Sequence, residues 1–426
     1  MAAARAGESG ADVLLLEKTS GAGKKLLMSG NSRCNVTNAV DMDRFIEMFG
    51  RNGRFLHGTF RRFFRNDLTA LLDRYGVQTK TEPDGRVFPA SDDSRDVLRA
   101  LQRYCSEYKV VTQGTSPVTE VLHREGRVNG VITGCTTIQA SCVVLATGGS
   151  SYCRTGSTGD GYRFAEKLGH SVVRIRPALV PLVVKEKGLI SGAQGISLRD
   201  VRLTAFRNNE YPGNPPLLVN SDYGRGIPGR KPPKGVIESR RGDVMLTHFG
   251  LGGPATLLLS LAVVDALTCG PVVVSIDLFP DLDEKALGKR LQRDFDTFGK
   301  RICRNVLDAL LPDRMVPQVL RVAGVPDTTP ANQIDAVARA GLVRGLKSLA
   351  FEIEGPLSLE TAFVTAGGVA LDEIDPRTME SRKVDGLFFA GEVTDLDAPT
   401  GGYNLQAAFS TGWVAGEQAA LKSLNA

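Results

Sequence analysis

Apolar residues fall along this chain in two rhythms, and the rhythm changes twice. Near the start, Ala2 to Ser9 read as the tail of a helix. Ala11 to Leu16 (ADVLLL) then form a short apolar run ending at Glu17, the pattern of a buried strand. Spacing by threes and fours predicts a helix over Arg61 to Tyr75. Alternation on either side of Asp84-Gly85 predicts a hairpin over Thr79 to Phe88. Ser94 reads as the N-cap of a helix running to about Tyr108. A second hairpin, Val118 to Leu122 with Val128 to Ile132, turns at Glu125-Gly126. The apolar strand Cys142 to Leu145 runs straight into Ala146-Thr147-Gly148-Gly149, and a helix is expected over Gly161 to Leu168.

The style changes after Pro177. Strands are predicted at Leu179 to Val184, Val201 to Phe206, Asp243 to Thr247 and Val272 to Ile276, with a helix from Pro254 to Ala266 that carries proline near its first position. Between them, Arg207 to Arg241 hold six prolines amid glycines and charges and read as a long mobile surface loop. Residues 282–349 have helical spacing. From Phe351 the turn-and-strand style returns, closing with a strand over Leu387 to Ala390 and a helix from about Leu405. Parallel-type runs at both ends around a different middle suggest one α/β domain, 1–178 and 352–426, interrupted by an insert over 179–351.

Composition narrows the class. No apolar run approaches the ~18 residues of a membrane span; the run Leu257 to Leu267 is too short and reads as a buried helix. The net charge is +5, but the cations are scattered, so nucleic acid is not an expected partner. The densest group, Arg51, Arg54, Arg61, Arg62 and Arg65, is equally a solvated helix face. Seven irregularly spaced cysteines without a CxxC pair, and four dispersed histidines, suggest reduced thiols and no metal site. No secretory leader is visible, and a cytoplasmic protein is expected, with an organelle-targeting segment ahead of Met1 left open.

Several short motifs carry chemistry. An acid ending the second strand of a dinucleotide fold accepts hydrogen bonds from ribose hydroxyls, which is the place of Glu17. Gly21 to Lys25 (GAGKK) lacks the spacing of a phosphate-binding P-loop. Ser29 to Asn38 (SGNSRCNVTN) is too polar to read as core; its N–H groups, with Arg33 and Lys25, suit a pyrophosphate. Cys34 has no partner cysteine and reads as a packed thiol. Thr147, Gly148 and the later Thr155 to Gly161 form a glycine-threonine cluster where backbone can approach a cofactor. At the other end, Leu387 to Glu392 is a strand ending in Gly391-Glu392, and Thr400 to Gln406 (TGGYNLQ) opens a helix at Gly402. A carboxylate there suits ribityl hydroxyls, and the helix N-terminus suits negative charge on a flavin pyrimidine. Gly250-x-Gly252-x-x-Ala255 with Asp277 mimics a second dinucleotide site. His248 beside it is a candidate proton donor, or a packed histidine.

The segments Gly23 to Asn38, Ala146 to His170, Gly242 to Ala255, Thr365 to Val369 (TAGGV) and Leu387 to Gly412 resemble the BaiN/YhiN-like NAD(P)/FAD-dependent oxidoreductases, the aminoacetone-oxidase-like flavoproteins, over nearly the whole chain. The resemblance implies a glutathione-reductase-type, Rossmann-like FAD domain with an inserted β-barrel and helical region. It places Glu17, Lys18, Arg33, Cys34, Val118, Ala146, Glu392, Asn404 and Leu405 at cofactor positions. Members begin with a strand and a GxGxxG-type turn, so the expectation is that both are missing here. Cys153 stands where proline is common, and Arg207 to Arg241 looks like an insertion. The function implied is an FAD-dependent oxidoreductase acting through flavin N5 on a small organic substrate, by C=C reduction or by amine or alcohol oxidation. NAD(P)H is a candidate electron donor. A flavin-dependent RNA-modifying protein and an inactive truncated flavoprotein are the alternatives.

Overall fold

The computed structural model describes residues 1–211 and 232–425, which divide into two compact units: 1–176 with 359–426, and 177–358. The first unit holds two parallel strand pairs, Leu14–Leu16 beside Val111–Gln113 and Val143–Leu145 beside Leu387–Phe389. Leu387, Phe388 and Phe389 are all fully buried, as a strand covered on both faces requires. Two three-stranded antiparallel sheets flank them, one built on Thr37–Asn38, Arg86–Pro89 and Thr79–Thr81, the other on Val118–Arg124, Arg127–Thr133 and Thr136–Gln139. Strand Val172–Ala178 pairs with Val364–Val369.

The closing helix, Tyr403–Leu424, is buried along most of its length. Gly412 and Gly416 let helix Ala2–Glu8 lie against it; a Cβ on Gly416 would strike the Ala2 carbonyl. Trp413 fixes the same contact from one side. The Arg5 guanidinium lies 4.0 Å from its ring centroid and Phe63 stacks on it at 5.5 Å.

The second unit is a closed six-stranded barrel with helices. Around the wall run Leu182–Val184, Gly250–Gly252, Val236–Leu246, Ser197–Arg207, Val272–Asp277 and Leu349–Pro356, every neighbour antiparallel. Leu203, Ala205, Val244, Val274, Ile276 and Phe351 share one core with helix Pro254–Leu267 and with the helices Glu284–Thr297, Val316–Ala323 and Ala336–Lys347. Buried Lys347 ties the helical part to the wall, donating to Asp277 Oδ2 at 2.7 Å and to the carbonyls of Phe279 and Leu282 at 2.8 and 2.6 Å. The incoming and outgoing strands of this unit lie side by side: Leu182 pairs with Pro356, and Leu357 N–H donates to the Pro181 carbonyl at 3.0 Å.

The barrel and helical region implied by the resemblance are therefore present, but several local expectations are corrected. The helix read over Arg61 to Tyr75 is two helices, His57–Arg62 and Arg65–Arg74. Phe63 turns extended to bury itself against Trp413, and Asp67 accepts from Phe64 N–H at 2.8 Å to restart the helix. Asp93, not Ser94, caps the next helix, its side chain accepting from Arg95 N–H at 2.9 Å. Leu14–Leu16 is shorter than the apolar run, and the last helix starts at Tyr403. Within 207–241, Arg207 ends one barrel strand and Val236 to Arg241 begin another; 212–231 lie outside the described residues. Strand Leu349–Pro356 belongs to the barrel, so the second boundary falls after 358 rather than 351. Gly250 and Gly252 sit in this antiparallel wall rather than in a parallel strand–helix unit. A Cβ on Gly250 would strike the Leu182 carbonyl, which accounts for the glycine without a dinucleotide.

Candidate functional site

In the first unit the loops that follow three parallel strands come together. Strand Leu387–Phe389 ends at Gly391, whose backbone is left-handed (φ +74°) and whose N–H donates to Thr411 Oγ1 at 2.9 Å. The turn projects Glu392 into a ring of donors: Thr365 N–H at 2.9 Å, Gly149 N–H at 3.3 Å and Lys25 Nζ at 2.6 Å. Lys25 also donates to Ser151 Oγ at 2.8 Å. Fully buried Thr365 completes the knot, its hydroxyl accepting from the N–H groups of Ser150 and Ser151 at 2.9 and 3.1 Å. One carboxylate and one hydroxyl thus fix the glycine turn after strand Val143–Leu145.

The loop after Leu14–Leu16 joins the same region. Lys18 binds Thr158 and Asp160 at the start of helix Asp160–Lys167. Burial by itself would raise the Asp160 carboxyl, but hydrogen bonds from Lys18, Arg163 and Thr158 outweigh it and hold the group below its ordinary range. Glu17 is half-buried; its carboxylate accepts from Thr19 N–H at 2.7 Å, next to Gly156. Ala146 is exposed at the strand end, Thr147 packs over Gly161, and Gly148 is left-handed (φ +72°).

The third component is the start of helix Tyr403–Leu424. Its cap, Gly402 (φ +91°), offers no side-chain acceptor to the first N–H groups, so a long helix presents an uncapped, positive end. Asn404 does not supply the cap. Its amide braces the preceding loop, accepting from Ala398 N–H at 2.9 Å and donating to the Ala398 carbonyl at 2.8 Å. Asn35 Oδ1 lies against Gly402, and both it and Thr37 Oγ1 are buried without a hydrogen-bond partner. Thr147 Oγ1 and Gln406 Oε1 are orphaned in the same way. Buried polar atoms of this kind cost about 1–3 kcal/mol each unless something binds them. An open helix end for negative charge, with acceptors beside it for a ligand's own donors, fits a flavin dinucleotide, whose pyrimidine ring carries both.

The Ser29 to Asn38 loop departs from expectation, since Cys34 to Asn38 are buried rather than solvated. Val36 N–H donates to the Val87 carbonyl at 2.9 Å and Thr37–Asn38 join a sheet, so the backbone polarity is satisfied inside. Asn31, Ser32 and Cys34 all adopt left-handed backbone (φ +56° to +65°), strain of a kind that gathers at ligand loops. Arg33 is engaged elsewhere: it donates to Glu82 at 2.8 and 2.9 Å, approaches Asp92 at 3.3 Å and lies 3.8 Å over the Phe88 ring. Cys34 and Leu405 share one apolar cluster, and Val118 packs on another. His248 lies in the second unit, exposed at a hairpin turn, its ring edge-on to Phe249 at 4.9 Å.

Burial pushes the Cys34 thiol up to about 11, and the Cys303 thiol likewise. Iodoacetamide at mildly alkaline pH is therefore expected to label exposed Cys135 and Cys269 first, with Cys34 and Cys303 modified only on unfolding. Peptide mapping checks this; early labelling of Cys34 contradicts the burial. A second expectation concerns Thr365, which sequence reading passed over although it opens the TAGGV segment. Thr365→Val removes three hydrogen bonds, two accepted from the Ser150 and Ser151 N–H groups and one donated to Ser151 Oγ, and should weaken flavin binding roughly tenfold or more, while Thr365→Ser should stay near wild type. Flavin titration of the two variants decides, and equal losses in both would mean packing, not the hydroxyl, matters.

The model of the HI0933-like protein Rossmann domain matches residues 1–418. The chain belongs to that family. A 3-dehydro-bile acid delta(4,6)-reductase of Clostridium scindens is 29% identical over 422 residues, covering 99% of this chain and 95% of that protein. A ribosomal RNA dihydrouridine synthase of Escherichia coli is 30% identical over 415 residues, covering 96% and 92%. Among solved structures, a 3-ketosteroid-delta4-(5alpha)-dehydrogenase from Rhodococcus jostii aligns over 98% of this chain and 94% of its own, at 14% identity and a TM-score of 0.47. The HI0933-like chain is an FAD-dependent oxidoreductase. No helix among its described residues is long and apolar enough to cross a membrane.

Proposed function

We propose that the chain uses FAD to reduce a carbon–carbon double bond conjugated to a carbonyl. One observation supports this above others: the chain is similar over nearly its whole length to two relatives named for one step on different carriers. A Δ4,6 bond next to a 3-oxo group and the 5,6 bond of uracil are both double bonds activated by a carbonyl. Saturating such a bond needs a hydride at the β carbon and a proton at the α carbon. Bound FAD supplies the hydride, with NAD(P)H a suitable class of donor to restore it.

The chain's own residues bind and orient. Glu392, held by Lys25 and by the N–H groups of Thr365 and Gly149, would accept from ribityl hydroxyls. Gly391 and Gly148 give backbone access beside it. The uncapped helix end at Gly402 favours negative charge on the flavin pyrimidine, which is the charge a hydride donor of this kind carries. Asn404 positions that end through the 398–399 backbone, and Leu405 and Cys34 pack behind it. Glu17 and Lys18 would meet the adenosine end of the cofactor, and Ala146 and Thr147 would line the turn after their strand.

The test is anaerobic. Pre-reduced protein is mixed with a Δ4-3-oxo steroid and, separately, with a uridine-containing RNA transcript. Flavin reoxidation with formation of a saturated product from either supports the reading. Reoxidation by neither, alongside normal reoxidation by oxygen, rejects it.

A further inference from the structure

Of the four histidines, His57, His123 and His248 are exposed, while His170 is buried. His170 follows helix Asp160–Lys167 and lies against strand Leu387–Phe389, its ring edge-on to Phe389 at 5.1 Å. Its two ring nitrogens meet different groups. Nδ1 lies 3.3 Å from the Ala165 carbonyl, and Nε2 lies 2.8 Å from Ser381 Oγ.

These partners fix the protonation of the ring. A carbonyl only accepts, so Nδ1 carries a hydrogen. Ser381 Oγ already accepts from Lys383 N–H at 2.9 Å and from Val384 N–H at 2.8 Å, which uses both of its lone pairs. It has only its own hydrogen left to offer, so it donates to Nε2, and Nε2 must be bare. Both ends therefore select one neutral tautomer. An imidazolium would aim a second hydrogen at the Ser381 hydroxyl. To accept it, that hydroxyl would have to turn and give up one of its two N–H groups.

Charge does not rescue the imidazolium. Among the described residues, the charged groups acting on the ring are Glu373, on the 3-10 turn Leu371–Glu373, and Lys383, on the turn of residues 379–384. They are bonded to each other at 2.6 Å, so their effects largely cancel. On the same turn Glu380 is paired with Lys422 at 2.6 Å, and Arg382 donates to the Ile374 carbonyl at 3.3 Å. On the preceding helix Glu166 and Lys167 are exposed. Burial lowers the imidazole from its ordinary value, outweighing the opposite pull of the Ala165 carbonyl and Glu373.

The segment that this ring holds is the neighbour of the strand leading to Glu392. Residues 379–381 run antiparallel beside Leu387–Phe389. Ser381 N–H donates to the Leu387 carbonyl at 2.7 Å, and Phe389 N–H to the Met379 carbonyl at 3.0 Å. The strand then passes through Gly391 to Glu392. We propose that His170 is a proton-sensitive latch: the neutral ring clamps the Ser381 turn onto this strand, and protonation in mildly acidic solution frees the turn, loosens Glu392 and releases the flavin. The link to flavin rests on the reading that places Glu392 at the cofactor. A native pKa below the unfolded value means that the unfolded chain holds the extra proton. Stability from the latch is therefore full above about pH 6.5 and falls as the pH drops below it.

The experiment reads the ring and the flavin together. Full-length, flavin-loaded protein with isotope-labelled histidine is titrated by NMR from about pH 7.5 to about pH 5, beside H57Q/H123Q/H248Q, in which His170 is the remaining histidine. At the start His170 should show a protonated Nδ1 and a bare Nε2. It should stay neutral after the exposed three have titrated at about pH 6.5. Flavin fluorescence from the same samples should rise severalfold as the His170 imidazolium appears. In His170→Gln, whose amide oxygen can take the Ser381 hydrogen, release at about pH 5.5 should stay within about twofold of that at about pH 7.5. A protonated Nε2 at neutral pH, titration of His170 together with the exposed three, or flavin loss with the ring still neutral would each overturn the proposal. So would flavin retention by the wild type throughout, or equal acid release by wild type and His170→Gln. If His170→Gln fails to fold, the wild-type titration still decides, because ring and flavin are read in one sample. The reductase reading is tested at neutral pH with the latch closed, so the two can fail separately.

Discussion

Glu392→Ala is expected to strip most of the flavin from this protein on dialysis. The carboxylate receives two backbone N–H groups and the Lys25 ammonium, and hydrogen bonds to a charged group are worth about 1.5–3 kcal/mol apiece. Removing it leaves a partly buried cation without its partner, which costs more than the lost attraction alone. It also frees the Gly149 to Ser151 turn that the same knot holds. Glu17→Ala should do less, because among the described residues the Glu17 carboxylate accepts only from Thr19 N–H within its own turn. The flavin-to-protein absorbance ratio after dialysis is expected to fall severalfold for the first variant and slightly for the second. Equal or reversed losses would place the ribityl contact elsewhere. Glu392→Gln, which keeps an acceptor but not the charge, should fall between.

Gly402→Ala should be as damaging for a different reason. The left-handed backbone alone costs about 1–2 kcal/mol for a residue with a Cβ. That Cβ would also strike the Thr37 carbonyl and come within 2.8 Å of Asn35 Oδ1. Neither neighbour gives way cheaply, since Thr37 is locked in a sheet. A total loss of roughly 3 kcal/mol is expected, with displacement of the helix end that would face the flavin. Gly126→Ala is the matched control. Its backbone is also left-handed (φ +76°), but open space surrounds it, so only about 1 kcal/mol should be lost. Trp413, the single tryptophan, lies on the same long helix and reports this unit's unfolding in denaturant. Equal midpoints for the two variants would show that the Thr37 contact relaxes freely.

The readable parts of this fold were those decided locally. The hairpins at Asp84-Gly85 and Glu125-Gly126 announce themselves because the turn chemistry and the alternation sit within a dozen residues. The buried strand Leu387–Phe389 is legible for the same reason. What hid was decided at a distance. Strand Val236–Leu246 passes from Val236-Ile237 into Glu238, Ser239, Arg240 and Arg241, which no hydrophobic pattern marks, yet Glu238, Ser239 and Arg240 are buried in the barrel wall. The break at Phe63 is set by Trp413, and the engagement of Arg33 by Glu82 and Asp92. In the site, Glu392, Lys25 and the glycine turns could be proposed from residue type and spacing. Thr365 could not: its role comes from Ser150 and Ser151, more than two hundred positions away.

The incoming and outgoing strands of the barrel unit run side by side, paired at Leu182 and Pro356. On the other unit's side, Val172–Ala178 and Val364–Val369 are likewise sheet neighbours. A host that offers two adjacent strand ends can accept any guest whose own ends are adjacent. Nothing in the host's threading records what was placed between them. The barrel therefore has the form of a cassette: its length or content can change without altering the order of the residues on either side.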